Sequence, residues 1–261
     1  MAAPLPLILL PPSEGKALGG TGAPWTPGAM AIDLDDRRRT VIAALAGAMR
    51  GTEAERAKLL GVSGRTLADA SAADRRVTKS PTLPAIERYT GVLYDTLDHL
   101  SLTRAQRTRL GASVVIVSGL WGAVMPGDPV PAYRLKMSAT LPALGKLSSW
   151  WRDPLTAAVV DLARDRPVWN LLPKEHDAAW APPTDRDQYV VRFFDRQRDG
   201  SLVAVSHDNK SLKGALVRYL VAHPNAQPAD LAAWKHPARY RYSKRASGRD
   251  GATTVVAMVR R

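Results

Sequence analysis

The sequence predicts an α/β protein: a single domain with a mixed β-sheet surrounded by helices, including a helix-hairpin-helix element. Three observations predict it. Short apolar runs bounded by Pro, Gly and Ser ("LILLPPS", "SVVIVSG", "PVWNLLP") read as buried strands, and amphipathic helical stretches lie between them. Late in the chain, two β-patterned runs flank "QRDG", a hairpin turn signal at Asp199-Gly200. At 261 residues and 45% hydrophobic content, the chain can bury one substantial core over 1–261.

Ile8–Leu10 forms the first strand, ended by Pro11-Pro12. Residues 13–31, rich in Gly, Pro and Ala, form a long loop. Asp33 or Asp35 caps a helix through Met49, with Val41, Ile42 and Leu45 on its apolar face. Residues 53–76 give two short helices separated by Gly61–Gly64. "RYTGVLYDTLDHL" opens with a turn and continues as a helix to Leu100, and Thr103–Leu110 forms another. Val114–Val117 reads as a central strand. It breaks at Ser118-Gly119, and the stretch to Pro131 is expected to be irregular. Helix over 150–165, strand at "PVWNLL" and a short helix at "KEHDAAW" follow. Tyr189–Arg196 and Ser201–Ser206 pair as a hairpin. Residues 209–222 form a helix with Leu212, Leu216 and Leu220 inward. "PADLAAW" is a short helix, and "ARYRYS" with "TTVVAMVRR" makes a final strand pair.

The net charge is +13, which favours a polyanionic partner such as nucleic acid or a nucleotide. There is no Cys, so disulfide scaffolds, zinc-thiolate sites and thiol nucleophiles are excluded. No apolar run approaches a membrane span, and the apolar N-terminus lacks the basic flank of a signal peptide; a cytoplasmic protein with no membrane partner is expected.

"KLLGVSGRTLADA" has the form of a hairpin that grips a phosphate. Gly61-Val62-Ser63 makes the turn and Val62 plugs between the helices. Gly64, Arg65 and Thr66 open the second helix, whose backbone N–H groups can bind a phosphate without reading bases. A corner packed on the core is the alternative. Other polar residues emerge just after strands, where open α/β sheets place ligands. "PPSEGK" offers Ser13, Glu14 and Lys16, without P-loop spacing. "SGLWG" offers Trp121 as a stacking face for a base. "AYRLKM" puts Arg134 and Lys136 on one face beside Tyr133, so an anion between them is expected. Asn170, Glu175 and His176 follow the "VWN" strand. His207 stands at a strand end before Lys210 and Lys213, two cations near a helix N-terminus that oppose its dipole and imply an anion nearby. No metal-ligand spacing and no catalytic triad are present in the motifs, and the cofactor is left unknown.

The segments "LLPPSEGK", "LLGVSGRTLADA", "YTGVLYDTL", "SGLWGAVMPGDPVPAYRLKM", "VWNLL" and "SHDNKSLKGALVRYL", in this order, resemble the peroxide stress protein YaaA family. The resemblance implies a single α/β domain with a helix-hairpin-helix, a cytoplasmic role in hydrogen-peroxide resistance and limiting of free iron, and DNA binding through the hairpin and a basic cleft. By position it makes Gly61–Thr66 the DNA-contacting hairpin. Ser13, Lys16, Tyr133, Arg134, Lys136, Asn170, Lys210 and Lys213 become cleft residues. The chain departs from the family pattern at "LPKEHDAAW", while the K-x-x-K-G element survives as Lys210–Gly214. Two functions remain open. One is a stress protein holding the DNA phosphate backbone. The other is an enzyme whose cleft takes a nucleotide or purine-like molecule, with Ser13, Glu14, Lys16, Asn170, His207 and Lys210 as catalytic candidates.

Overall fold

A computed structural model describes residues 5–205 and 209–260. In chain order, β1 (Leu7–Leu10) leads through the long loop to α1 (Asp35–Ala48), α2 (Glu53–Leu60) and α3 (Gly64–Arg75). Next come β2 (Thr82–Pro84), α4 (Ala85–Arg88), α5 (Val92–Leu97), α6 (Arg104–Ser113), β3 (Val114–Ser118), β4 (Gly122–Val124) and β5 (Pro129–Pro131). The small pair β6 (Thr140–Leu141) and β7 (Gly145–Lys146) precedes α7 (Leu147–Ala163). The rest is β8 (Val168–Asn170), α8 (Lys174–Asp177), β9 (Gln188–Arg196), β10 (Leu202–Ala204), α9 (Asn209–Ala222), β11 (Arg241–Tyr242), β12 (Gly248–Asp250) and β13 (Thr253–Arg260).

The main sheet is mixed and runs β11-β13-β9-β8-β1-β3-β4, with β10 beside β9 and β12 beside β13. Pairs β1–β3, β1–β8, β8–β9 and β9–β13 are parallel; β3–β4, β9–β10, β11–β13 and β12–β13 are antiparallel. Every residue of β1, β3 and β8 is buried. Parallel strands covered on both faces need such continuous apolar runs rather than alternation, which is why these three were legible. Their carboxyl ends share one edge of the sheet, and the loop after β1, the turn after β3 and α8 after β8 all gather there.

Several local expectations change. The helix after Gly91 stops at Leu97 because Asp98 turns left-handed at φ 42°, and a 3₁₀ turn covers His99–Ser101. The stretch after Ser118 is not irregular throughout. Gly122, at φ 70°, folds β4 back on β3, and the prolines of β5 sit in a two-stranded ribbon with β2, an edge position that tolerates a missing N–H. Strand β3 is one from the sheet edge rather than central. Leu34 occupies the N-cap of α1, and Asp33 supports it by accepting from Asp35 N at 3.3 Å. Ser206 and His207 lie outside the described residues.

Candidate functional site

Two short helices, α2 and α3, are joined by the turn 61–63. Thr52 caps α2 with a full capping box to Glu55, and Gly61 ends it in the left-handed region at φ 64°. Gly64 opens α3 at φ 55°, and only glycine adopts these angles without strain. Val62 is half-buried and packs on the core, as a plug should. Gly61, Ser63, Gly64, Arg65 and Thr66 are all exposed. The first turn of α2 carries Glu53 and Glu55; that of α3 carries no acid, and Ser63 makes no side-chain cap.

At the sheet's carboxyl edge lies a cavity of about 190 Å³, lined by residues of the 11–16 loop, 133–136, 173–176, Lys210 and Lys213. Arg134 and Lys136 converge on an anion, as their shared face predicts, and the anion is this chain's own Glu14. Arg134 Nη2 lies 2.8 Å from Glu14 Oε2, and Lys136 Nζ lies 3.1 Å from Oε1. Burial pushes the Glu14 carboxyl up, but these two cations outweigh it and hold it below its ordinary value.

Lys16 projects from the loop after β1. Its Nζ donates to Ser13 O at 3.0 Å and lies 4.2 Å from the centroid of the Tyr133 ring. Burial pushes this ammonium down to about 7; Asp74 opposes the shift and Arg134 adds to it. Asp74, fully buried on α3, accepts from Arg134 N at 2.8 Å, and its Oδ2 makes no hydrogen bond among the described residues. Burial pushes its carboxyl up to about 7 against the pull of Arg134 N–H and Lys16. The Tyr133 hydroxyl bonds Ser118 Oγ at 2.7 Å and Tyr89 Oη at 2.9 Å, and burial raises it to about 12. Across the cavity, burial lowers Lys213 to about 8 and buried His176 to about 4, so His176 is neutral at pH 7.

One stability prediction follows from Asp74. Its folded value lies above its unfolded value of 3.8, so between pH 4 and 7 the folded state holds the extra proton. Stability falls with rising pH across that window. Urea unfolding at pH 4.5 and 7 should show the wild type losing a few kcal/mol more than Asp74→Asn over this interval; parallel profiles would mean the carboxyl ionises normally.

The turn and the cavity are contiguous. Arg134 Nε donates to the Leu60 carbonyl at 3.3 Å, at the end of α2. A Cβ placed on Gly61 would lie 3.5 Å from Lys136 Nζ. Lys136 also lines a broad groove of about 1350 Å³ running along α1 and α2, whose rim carries Arg39, Arg50 and Lys58. Lys136 thus stands in the wall of both the groove and the cavity.

Two of the other candidates, Trp121 and Asn170, lie outside the cavity. Trp121 is fully buried between Trp25 and Tyr133, so it offers no face to a base. Asn170 is buried and braces α8, donating to Asp177 Oδ1 at 2.7 Å and Gln188 Oε1 at 3.2 Å; it does not line the cavity. Ser13 ties the loop down by accepting from Thr90 N at 3.0 Å. Lys210 is exposed at the cavity mouth. Sequence reasoning missed Asp74 and Tyr89. The signal for Asp74 was an acid on the inward stripe Leu67, Ala70, Ser71, Asp74 of α3. Among the described residues, no cluster of three His, Asp or Glu side chains is placed to hold a metal ion.

The profile of the peroxide stress protein YaaA family matches residues 7–246. The chain is 38% identical over 230 residues to a UPF0246 protein of Streptomyces coelicolor, covering 86% of this chain and 87% of that one. It is 36% identical over 236 residues to a UPF0246 protein of Corynebacterium efficiens, covering 87% and 91%. A UPF0246 protein of Corynebacterium glutamicum is 35% identical over 220 residues, covering 82% and 84%.

Proposed function

As this chain belongs to the peroxide stress protein YaaA family, we propose that it is a stress protein that grips the phosphate backbone of duplex DNA with the 61–66 turn and the adjoining cationic mouth of the cleft. One observation carries this reading: Lys136 lies beside Gly61 while lining both the groove and the cavity. The turn therefore does not present its amides alone. A strand of phosphates seated on the N-terminus of α3 meets Arg65 and Lys58 on one side and Lys136 and Arg134 on the other. Such contacts position a duplex without reading its bases. Since the chain has no cysteine, we read the family's peroxide-stress role as acting through DNA contact or through iron rather than through oxidation of its own thiols.

The test is anisotropy of two labelled duplexes of unrelated sequence between 50 and 200 mM salt. The two affinities should agree within a few-fold and fall steeply with salt, each phosphate contact adding about 0.9 to the log–log slope. A shallow slope, or strong preference for one sequence, would refute the backbone grip.

A second reading is favoured by the amines of half-buried Lys16 and buried Lys213 in a cavity too small for a duplex. The cleft would then bind a small anionic substrate, and the two functions would share the Arg134–Glu14–Lys136 wall.

A further inference from the structure

Lys16 is held in an unusual way for a lysine. Its amine is bounded by backbone carbonyls, Ser13 O at 3.0 Å and Glu14 O at 3.5 Å, and by the rings of Tyr133 and Tyr89, with centroids at 4.2 and 5.5 Å. Among the described residues, it forms no ion pair within 4.0 Å. A lysine that only braces structure is normally paired or snorkels to water. Instead this one lines a cavity of about 190 Å³ shared with Arg134, Lys210 and Lys213. Beside it stands Asp74, a buried carboxyl whose Oδ2 lacks a hydrogen-bond partner among the described residues. An amine and a set of cations around one small cavity, backed by a buried acid that accepts from the backbone N–H of the lining residue Arg134, are the parts of covalent carbonyl chemistry.

We propose that Lys16 is a Schiff-base lysine, and that its substrate is an aldehyde or ketone bearing a phosphate, which Lys210 and Lys213 hold. The Nζ lone pair attacks the carbonyl carbon and forms the C–N bond. The carbonyl π pair becomes a hydroxyl by taking a proton from Asp74. The amine then loses a proton, which returns to the Asp74 carboxylate. Asp74 protonates the hydroxyl, which leaves as water while the C=N bond forms. Amine, carbonyl and protonated Asp74 thus give an iminium, water and the Asp74 carboxylate, or an imine and water once the iminium proton returns to Asp74, with no oxidant or reductant. The Tyr133 face stabilises the resulting cation. The lowered affinity of Lys16 for its proton, with a value of about 7, keeps much of the amine neutral at physiological pH, and Asp74 at about 7 keeps a proton to give.

The inference does not rest on the DNA reading. A free sugar phosphate and the opened sugar of an abasic nucleotide both present an aldehyde near a phosphate, and two arms separate them. The intact chain is incubated at pH 7 with glyceraldehyde 3-phosphate, or with a duplex holding one abasic site, each with cyanoborohydride. Digestion and mass spectrometry then map the reduced adduct. In at least one arm, the adduct should fall on Lys16 about tenfold or more above exposed lysines such as Lys58 and Lys146. Inorganic phosphate should compete, and Lys16→Arg should lose the adduct. Because mapping uses the wild-type chain, a variant that misfolds does not blunt the test. The arm that reacts names the source. Adducts spread over exposed lysines with Lys16 unmodified in both arms would overturn the proposal.

Discussion

Arg38→Ala should destabilise the protein by about 3–5 kcal/mol, the range for stripping one partner from a buried charged network. Arg38 is fully buried on the inward face of α1, between the apolar positions Leu34 and Val41. Its guanidinium donates from Nε to Trp121 O at 3.1 Å and from Nη2 to Ala123 O at 2.9 Å. From Nη1 it reaches Ile32 O at 2.7 Å and Asp35 Oδ1 at 2.9 Å. One side chain thus joins the loop before α1 to the turn between β3 and β4. Alanine strips three carbonyls of this donor, leaves the Asp35 carboxylate with Gly28 N–H but not its cation, and opens a void besides. For a chain of this size each kcal/mol lowers Tm by about 2–4 °C, so a drop of about 10 °C is expected by calorimetry. Arg38→Met, which fills the space without charge, should lose less than alanine. A loss under about 1 kcal/mol for alanine would mean that water or backbone movement satisfies those carbonyls.

Arg65→Ala combined with Lys136→Ala should weaken duplex binding about 60-fold at 0.1 M salt. Each phosphate contact supplies about 0.9 log unit there, and the slope of log affinity against log salt should shrink by nearly two. Arg65 is almost fully exposed and its contact with Asp69 is long, at 4.0 Å, so its removal costs the fold little. Lys136 shares Glu14 with Arg134, which remains to hold the loop. Arg104→Ala, an exposed cation that lines neither the groove nor the cavity, is the control and should change affinity only slightly. Equal losses for the control and the pair would make the effect one of net charge alone.

The sequence made some of this legible and hid the rest for physical reasons. Strands β1, β3 and β8 were plain because they are buried on both faces and tolerate only apolar runs. The 61–64 turn was plain because two glycines bracket it, and both take positive φ. The short strands β4 and β5 were hidden by Gly and Pro, which read as loop but here serve a tight reversal and a ribbon edge. At the site, the pairing of Arg134 and Lys136 was legible, but its anion was not, because Glu14 is 120 residues away from Arg134 in sequence. Trp121 read as a platform because aromatic residues near strand ends serve either ligand or core. Only packing against Trp25 and Tyr133 shows it is core. Asp74 was passed over because short polar residues on a helix are common, and its surroundings depend on Lys16 and the 133–136 segment arriving from elsewhere.

The 61–66 turn and the mouth of the cleft should hold one duplex together. Because the chain has no native cysteine, Ser63→Cys on the turn and Glu175→Cys at the mouth each give a unique position for an environment-sensitive fluorophore. Both positions are exposed. Titrating a single duplex against each labelled protein at low salt should change both signals with the same midpoint and stoichiometry. A response at Glu175→Cys with silence at Ser63→Cys would reduce the turn to a packing corner and leave the cleft as the only site.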